Sequence, residues 1–298
     1  MNAARKPLDA SAVALMVLLC FIWGLSQVAT KTALEGVSPV TQAAIRSAVA
    51  ALLLFGWTRL RGILLFTRDG TRVPGVIAGL LFGAEFVFIF LGLERTDAAR
   101  IVVFVYLAPC FTAVGLAWFV PGERLAARQW AGVLVAFGGL VLAFADAFSS
   151  ARATLLGDLF GLLAGALWAA TTVVVRATKL SSISAAKTLF YQLAVSAVML
   201  AVLALVLREP GVTKLTPLVL LSLAYQCVIV AFASFLAWFW LLTRYLASRL
   251  SVFSFLTPLF GVAAGVMLLN EPVTAPFLGA ALLVGTGIYL VNSPGRTA

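Results

Sequence analysis

The chain has 298 residues, of which 63% are hydrophobic and 11% charged, and its formal net charge is +10. A soluble domain is nearer half apolar and a quarter charged, so these proportions exclude one and indicate an all-α integral membrane protein. The basic excess does not point to nucleic acid, because the cations sit in short loops between apolar spans, as the positive-inside rule distributes them. Histidine is absent, and Cys20, Cys110 and Cys227 are isolated within apolar runs. The cysteines therefore read as buried hydrophobes, with neither a metal site nor a disulfide framework expected. No GxxxxGK[ST] loop is present, so no P-loop ATP hydrolysis and no cofactor is expected.

Ten spans follow in order, at 11–31, 39–58, 73–93, 98–120, 128–146, 156–176, 185–207, 216–242, 249–269 and 274–292. Each is close to the ~20 residues with which an α-helix crosses the hydrocarbon. No cleavage site follows the first run, which reads as a helix and not as a signal peptide. That span carries Trp23 and Gln27 one turn apart near the midplane, too deep for the interfacial belt where Trp57, Trp118 and Trp130 belong. Span two holds Arg46 about 10 Å from one end, and span three holds Glu85 at about 12 Å. Glycines at spacing four stripe spans three (Gly75, Gly79, Gly83), six (Gly157, Gly161, Gly165) and nine (Gly261, Gly265), which lets helices pack closely in lipid.

Span four and its flanks, RTDAARIVVFVYLAPCFTAVGLAWFVPGE at 95–123, return in layout at 244–271. Without a gap, Arg95, Arg100, Phe104 and Pro109 fall on Arg244, Arg249, Phe253 and Pro258. One residue of slippage then brings Glu123 onto Glu271. Trp23 aligns in the same way with Trp168, and Gln27 with Thr172. The chain thus divides into two five-span copies, 1–147 and 148–298. An odd number of spans forces the second copy to insert inverted, so the expected architecture is ten transmembrane helices in two inverted five-helix repeats. Lys and Arg set the orientation: fourteen fall on one side and six on the other, which places both termini in the cytoplasm.

Arg46 and Glu85 are the two charges well inside spans, and such groups face protein or water. Two readings stand side by side: a static ion pair tying spans two and three together, or a substrate-binding pair. Trp23, Gln27, Trp168 and Thr172 at the midplane read either as the wall of a cavity for an amphipathic solute or as packing at the pseudo-axis. Tyr106, Tyr191, Gln192, Gln226, Ser234 and Ser254 add polar atoms at depth. Pro109 and Pro258 each remove a backbone hydrogen bond and kink the helix, and their equivalent positions make them candidate hinges.

The chain resembles the drug/metabolite transporter superfamily, in its EamA-type ten-helix members. The matching pieces are Trp23-Gly24 with Lys31 behind it, Pro39 followed by Arg46, LAPCFTAVGLAWFVPGERLAARQWAGVLVAFGGLVL at 107–142, GDLFGLLAGALWA at 157–169, and LTPLFGVAAGVMLLNEPVTAPFLGAALLVGTGIYLV at 256–291. The resemblance implies an inverted-repeat carrier with a central cavity, working by alternating access without ATP in the bacterial inner membrane. The aromatic amino-acid exporter branch is similar in length and aromatic content. One departure is that Tyr191 or Gln192 stands where the first copy has Arg46, so the cavity is electrostatically asymmetric. The leading expectation is export of amino acids and related small metabolites; the alternative is export of drugs or other amphipathic metabolites. A membrane-embedded enzyme is disfavoured because histidine and carboxylate clusters are absent, and a pore because no ring of charges is visible.

Overall fold

The computed structural model describes residues 8–149, 154–269 and 275–293. Glu271 and the terminal or loop cations Arg5, Lys6, Arg152 and Arg296 lie outside them. The described residues are helical throughout, with one isolated antiparallel bridge, Val37 to Val212, and no strand. Among the described residues, eight helical segments are long and apolar enough to cross a membrane, and two shorter apolar helices accompany them. The protein is therefore a multi-pass membrane protein.

The helices are α1 (Ala10–Ala33), α2 (Pro39–Leu60), α3 (Arg72–Leu93), α4 (Ala98–Val105), α5 (Ala108–Phe119), α6 (Ala127–Ala143), α7 (Leu155–Ala177), α8 (Ala185–Val206), α9 (Pro217–Ala224), α10 (Phe235–Arg244), α11 (Ala247–Ser251), α12 (Leu256–Leu269) and α13 (Ala275–Asn292). Their starts are written in the sequence. Asp9, Thr154, Ser184 and Thr216 accept the first-turn N–H groups of α1, α7, α8 and α9, satisfying donors that have no partner inside the helix. Pro39 and Pro217 open α2 and α9, where a missing N–H costs nothing.

Proline does more than kink the fourth span. α4 stops at Val105 and α5 starts at Ala108, so Pro109 lies in the first turn of a new helix. At Pro258 the chain instead tightens into a 3-10 helix, Val252–Phe255, before α12. The span between Pro217 and Arg244 holds a surprise of a different kind: Tyr225–Ser234 winds as a π-helix joining α9 to α10. A stretch of this length is unusual, since π-helix occurs mostly as single-turn bulges, often at functional sites.

Packing follows the glycines. Gly75, Gly79 and Gly83 of α3 lie under Tyr191, Val195 and Met199 of α8, so close that a Cβ would meet these side chains at 2.5 to 2.8 Å. Gly157 takes Thr96, and Gly161 and Gly165 of α7 take the α4 residues Phe104 and Val105. α6 pairs with α13, α2 with α8, α1 with α12, and α5 with α7.

Polar contacts collect at the two ends of the bundle. At one end, Glu123 pairs with Arg176, Lys187 with Asp69 at 2.6 Å, and Tyr245 donates to Asp9 at 2.7 Å. The Lys187 ammonium, with the hydroxyls of Thr71 and Thr67, holds the Asp69 carboxyl well below the usual carboxylate range. At the other end, Arg100 of α4 pairs with Asp158 of α7, and Glu209 caps α2.

Candidate functional site

The middle of the bundle is lined by tryptophan. Trp23 of α1, Trp168 of α7 and Trp238 of α10 surround a cavity of about 10 Å³, together with Pro109, Thr112, Thr172, Ser251 and Ser254. That is roughly the space of a single water molecule. The Trp23 indole donates to the Ser234 hydroxyl at 2.8 Å, and this hydroxyl donates to the Val230 carbonyl at 2.5 Å. Ser234 closes the π-helix, so the unusual winding delivers the acceptor that a buried indole requires. Trp168 meets Tyr106 edge-on at 5.5 Å between ring centroids, and the Thr172 hydroxyl folds back toward the Trp168 carbonyl at 3.4 Å.

Both helix breaks open onto this centre. The Phe104 and Val105 carbonyls face Gly165, where a Cβ would come within 2.9 and 2.7 Å of them. At the other break, the Cys20 thiol of α1 donates to the Phe253 carbonyl at 3.1 Å. Phe104 aligns with Phe253, and Gly165 aligns with Cys20 at the register that matches Trp168 to Trp23. The interrupted spans are thus received by α7 and α1, at positions that correspond in this alignment of the sequence.

Arg46 and Glu85 do not touch. Among the described residues no N–O contact within 4.0 Å joins them. The Arg46 guanidinium lies instead over the Phe86 ring, 4.4 Å from its centroid, with Nε and Nη2 buried and unbonded. Phe86 is the chain neighbour of Glu85, whose side chain is buried. From Arg46 an aromatic path runs inward. Phe86 meets Phe82 at 5.2 Å, Phe82 meets Phe235 at 5.9 Å, Phe235 meets Trp23 at 6.2 Å, and Trp23 meets Trp238 at 5.9 Å. Such edge-on contacts are favourable ring geometry.

Of the candidate residues, Trp23, Pro109, Trp168 and Thr172 line the cavity, and Tyr106 packs directly behind Trp168. Pro258 lies in the opening turns of α12 beyond the Ser251 and Ser254 wall. Three residues are elsewhere. Gln27 is exposed and set against Gly261 of α12. Tyr191 covers Gly75 and shares a 3.2 Å hydrogen bond with Thr71 at the bundle end. Gln226 is buried between α1 and the π-helix, reaching the Thr30 hydroxyl and the Ala29 carbonyl at 3.4 Å. Sequence reasoning missed Thr112 and Ser251 on the cavity wall and the aromatic residues Phe82, Phe86, Phe235 and Trp238. The signal for the aromatics was spacing: Phe82 and Phe86, and Trp238 and Phe235, fall one turn apart on their helices.

The EamA-like transporter family matches this chain at residues 10–145 and again at 155–293. A protein of Escherichia coli K12, "Probable amino-acid metabolite efflux pump", is 28% identical over 293 residues, covering 93% of each chain. "Uncharacterized transporter YvbV" of Bacillus subtilis 168 is 26% identical, over 95% of this chain and 92% of its own length. A solved crystal structure superposes with a TM-score of 0.82 across 98% of this chain and 100% of the other; at 21% identity that likeness concerns the fold alone. The family and these relatives are transporters and not enzymes, and small molecules moving through a bilayer are what such a protein handles. The family match takes in both halves of the described helices, and the chain belongs to the EamA-like transporter family.

Proposed function

We propose that this protein is a secondary carrier that exports amino acids and related small metabolites across the bacterial plasma membrane by alternating access. The observation that carries the reading is the unjoined pair Arg46 and Glu85. Charges at membrane depth are costly unless they are paired or serve a ligand. Arg46 leaves Nε and Nη2 buried and unbonded, Glu85 is buried, and no ion pair joins the two among the described residues. The carboxylate and ammonium of a zwitterionic amino acid supply one partner for each. The aromatic path from Phe86 to Trp23 then offers the side chain an apolar route to Trp168 and Tyr106 at the centre.

The closed cavity supports a carrier over a pore. About 10 Å³ admits no amino acid, so the walls must part for substrate to enter. We read the ten apolar helical spans as two inverted repeats, 1–147 and 148–298. The helix partners support this: exchanging the halves turns the α1–α12 pair into the α7–α5 pair and leaves α2–α8 and α6–α13 unchanged. Pro109 and Pro258 are then hinges on opposite sides of one site, and the Lys/Arg bias supports cytoplasmic termini. The name of the Escherichia coli relative supports amino-acid metabolites as the substrate class.

A second reading, export of uncharged amphipathic compounds, is favoured by the unbroken aromatic run. Counterflow in proteoliposomes separates the two. Uptake of labelled amino acids, competed by free but not by amidated or acetylated amino acids, is the expected result. Counterflow of uncharged amphipaths alone assigns the second reading, and steady ion conductance refutes a carrier.

A further inference from the structure

A groove of about 470 Å³ runs along the outside of the α2–α8 pair and shares no lining residue with the tryptophan-lined cavity. Its floor is small and apolar: Ala44 and Ala48 of α2 face Ala197, Ala201 and Ala204 of α8. The exposed flanks of these helices, Leu52, Val198 and Val202, mark this face as the lipid side. At the groove's mouth, just past the end of α8, stands Arg208. It is exposed and joins no ion pair among the described residues.

The end of α8 is built to hold Arg208 there. The Arg208 N–H bonds the Leu205 carbonyl at 3.1 Å and the Glu209 N–H bonds the Ala204 carbonyl at 3.0 Å. This is a helix-closing turn whose left-handed position usually goes to glycine. Arg208 fills it with φ at 52°, where a Cβ is disfavoured. The neighbouring carboxylate is occupied: Glu209 accepts the Val40 and Thr41 N–H groups at 3.0 and 2.8 Å and the Thr41 hydroxyl at 2.8 Å. Glu209, which also lines the groove, thus turns both carboxylate oxygens to the start of α2, and among the described residues Arg208 has no ion-pair partner.

We propose that this groove binds an anionic phospholipid, with an acyl chain along the alanine floor and the phosphate held by Arg208. The volume lies within the ~300–1,000 Å³ of ligand sites. A free guanidinium at the end of two spans stands at headgroup depth, where it meets phosphate and not hydrocarbon. A zwitterionic lipid offers the same phosphate, but its own headgroup cation offsets that charge, so a net anionic lipid fits the Arg208 guanidinium better.

Native mass spectrometry of the full chain in detergent, with phosphatidylglycerol or phosphatidylcholine added, tests this. Wild type is expected to retain phosphatidylglycerol about fivefold better, the difference one cation makes near an anionic surface. Arg208→Gly, which suits the left-handed turn, and Arg208→Gln should both abolish that preference while melting no earlier than wild type. Ala201→Phe, which fills the groove, should reduce retention of both lipids. No preference in wild type, a preference surviving both Arg208 variants, or undiminished binding to Ala201→Phe overturns the proposal. So does a dimer that Ala201→Phe dissociates, which would give the groove to a second copy of the chain.

Discussion

Arg176 in the last turn of α7 and Glu123 in the turn after α5 form an ion pair in which each side chain is only 1% exposed. Glu123 also accepts the N–H groups of Ala247 and Ser248 at 3.2 and 3.1 Å and the Ser248 hydroxyl at 2.8 Å, while Arg176 donates to the Leu242 carbonyl at 3.2 Å. One carboxylate therefore ties three separate chain segments together at one end of the bundle. Removing one member of a buried pair leaves an unpaired charge, which costs about 3–5 kcal/mol. Glu123→Ala is expected to lower the melting temperature in detergent sharply, and Glu123→Gln, which still accepts a hydrogen bond, by less. Unchanged melting of Glu123→Ala would show that the clamp contributes nothing to stability.

Arg46 and Glu85 should behave differently, because they are not joined. Arg46→Gln and Glu85→Gln are each expected to fold, since neither leaves behind a partner that had been bonded to it. The double variant should fold and lose its discrimination between an amino acid and its amidated or acetylated analogue. Competition in the counterflow assay measures this, and unchanged selectivity in the folded double variant removes the substrate role.

Gly24 and Gly165 receive the two broken spans. A Cβ on Gly24 would lie 2.7 Å from the Phe260 Cβ and 2.8 Å from the Thr257 carbonyl; on Gly165 it would lie 2.7 Å from the Val105 carbonyl. Backbone cannot yield as a flexible side chain does. Gly24→Ala and Gly165→Ala should each destabilise by about 1–3 kcal/mol, the usual cost of overpacking. Gly56→Ala, with open space around it, is the control and should melt as wild type does.

The proline breaks carry a kinetic expectation. Pro109→Ala restores a backbone donor and lets α4 run into α5; Pro258→Ala does the same between the 3-10 helix and α12. Both variants should remain folded and transport more slowly. If the two copies are inverted, the variants favour opposite-facing states, which cysteine accessibility at Arg68→Cys and Lys214→Cys reads out. Wild-type transport and labelling in both variants would sink the hinge assignment.

Much of this architecture is legible in one dimension. Apolar spans, N-caps such as Thr154 and Ser184, the breaks at Pro109 and Pro258, and the glycine stripes are all local or periodic properties of the chain. Hydropathy also locates Arg46 and Glu85 at similar depth. Depth does not fix azimuth, however, and the side toward which a helix turns a residue depends on neighbours distant in sequence. That is why Tyr191 sits against Gly75 at the bundle end and Gln27 against Gly261, away from the cavity, and why Arg46 lies over Phe86 rather than on Glu85. The π-helix at Tyr225–Ser234 is a tertiary decision as well. No local motif specifies it, and its winding is held by partners on α1, with the Tyr225 hydroxyl on the Ile22 carbonyl at 2.9 Å and the Trp23 indole on Ser234. The sequence by itself thus determined where the chain crosses and where it breaks. Only packing among the helices decided which buried groups meet, since each pairing required surfaces that residue order does not bring together.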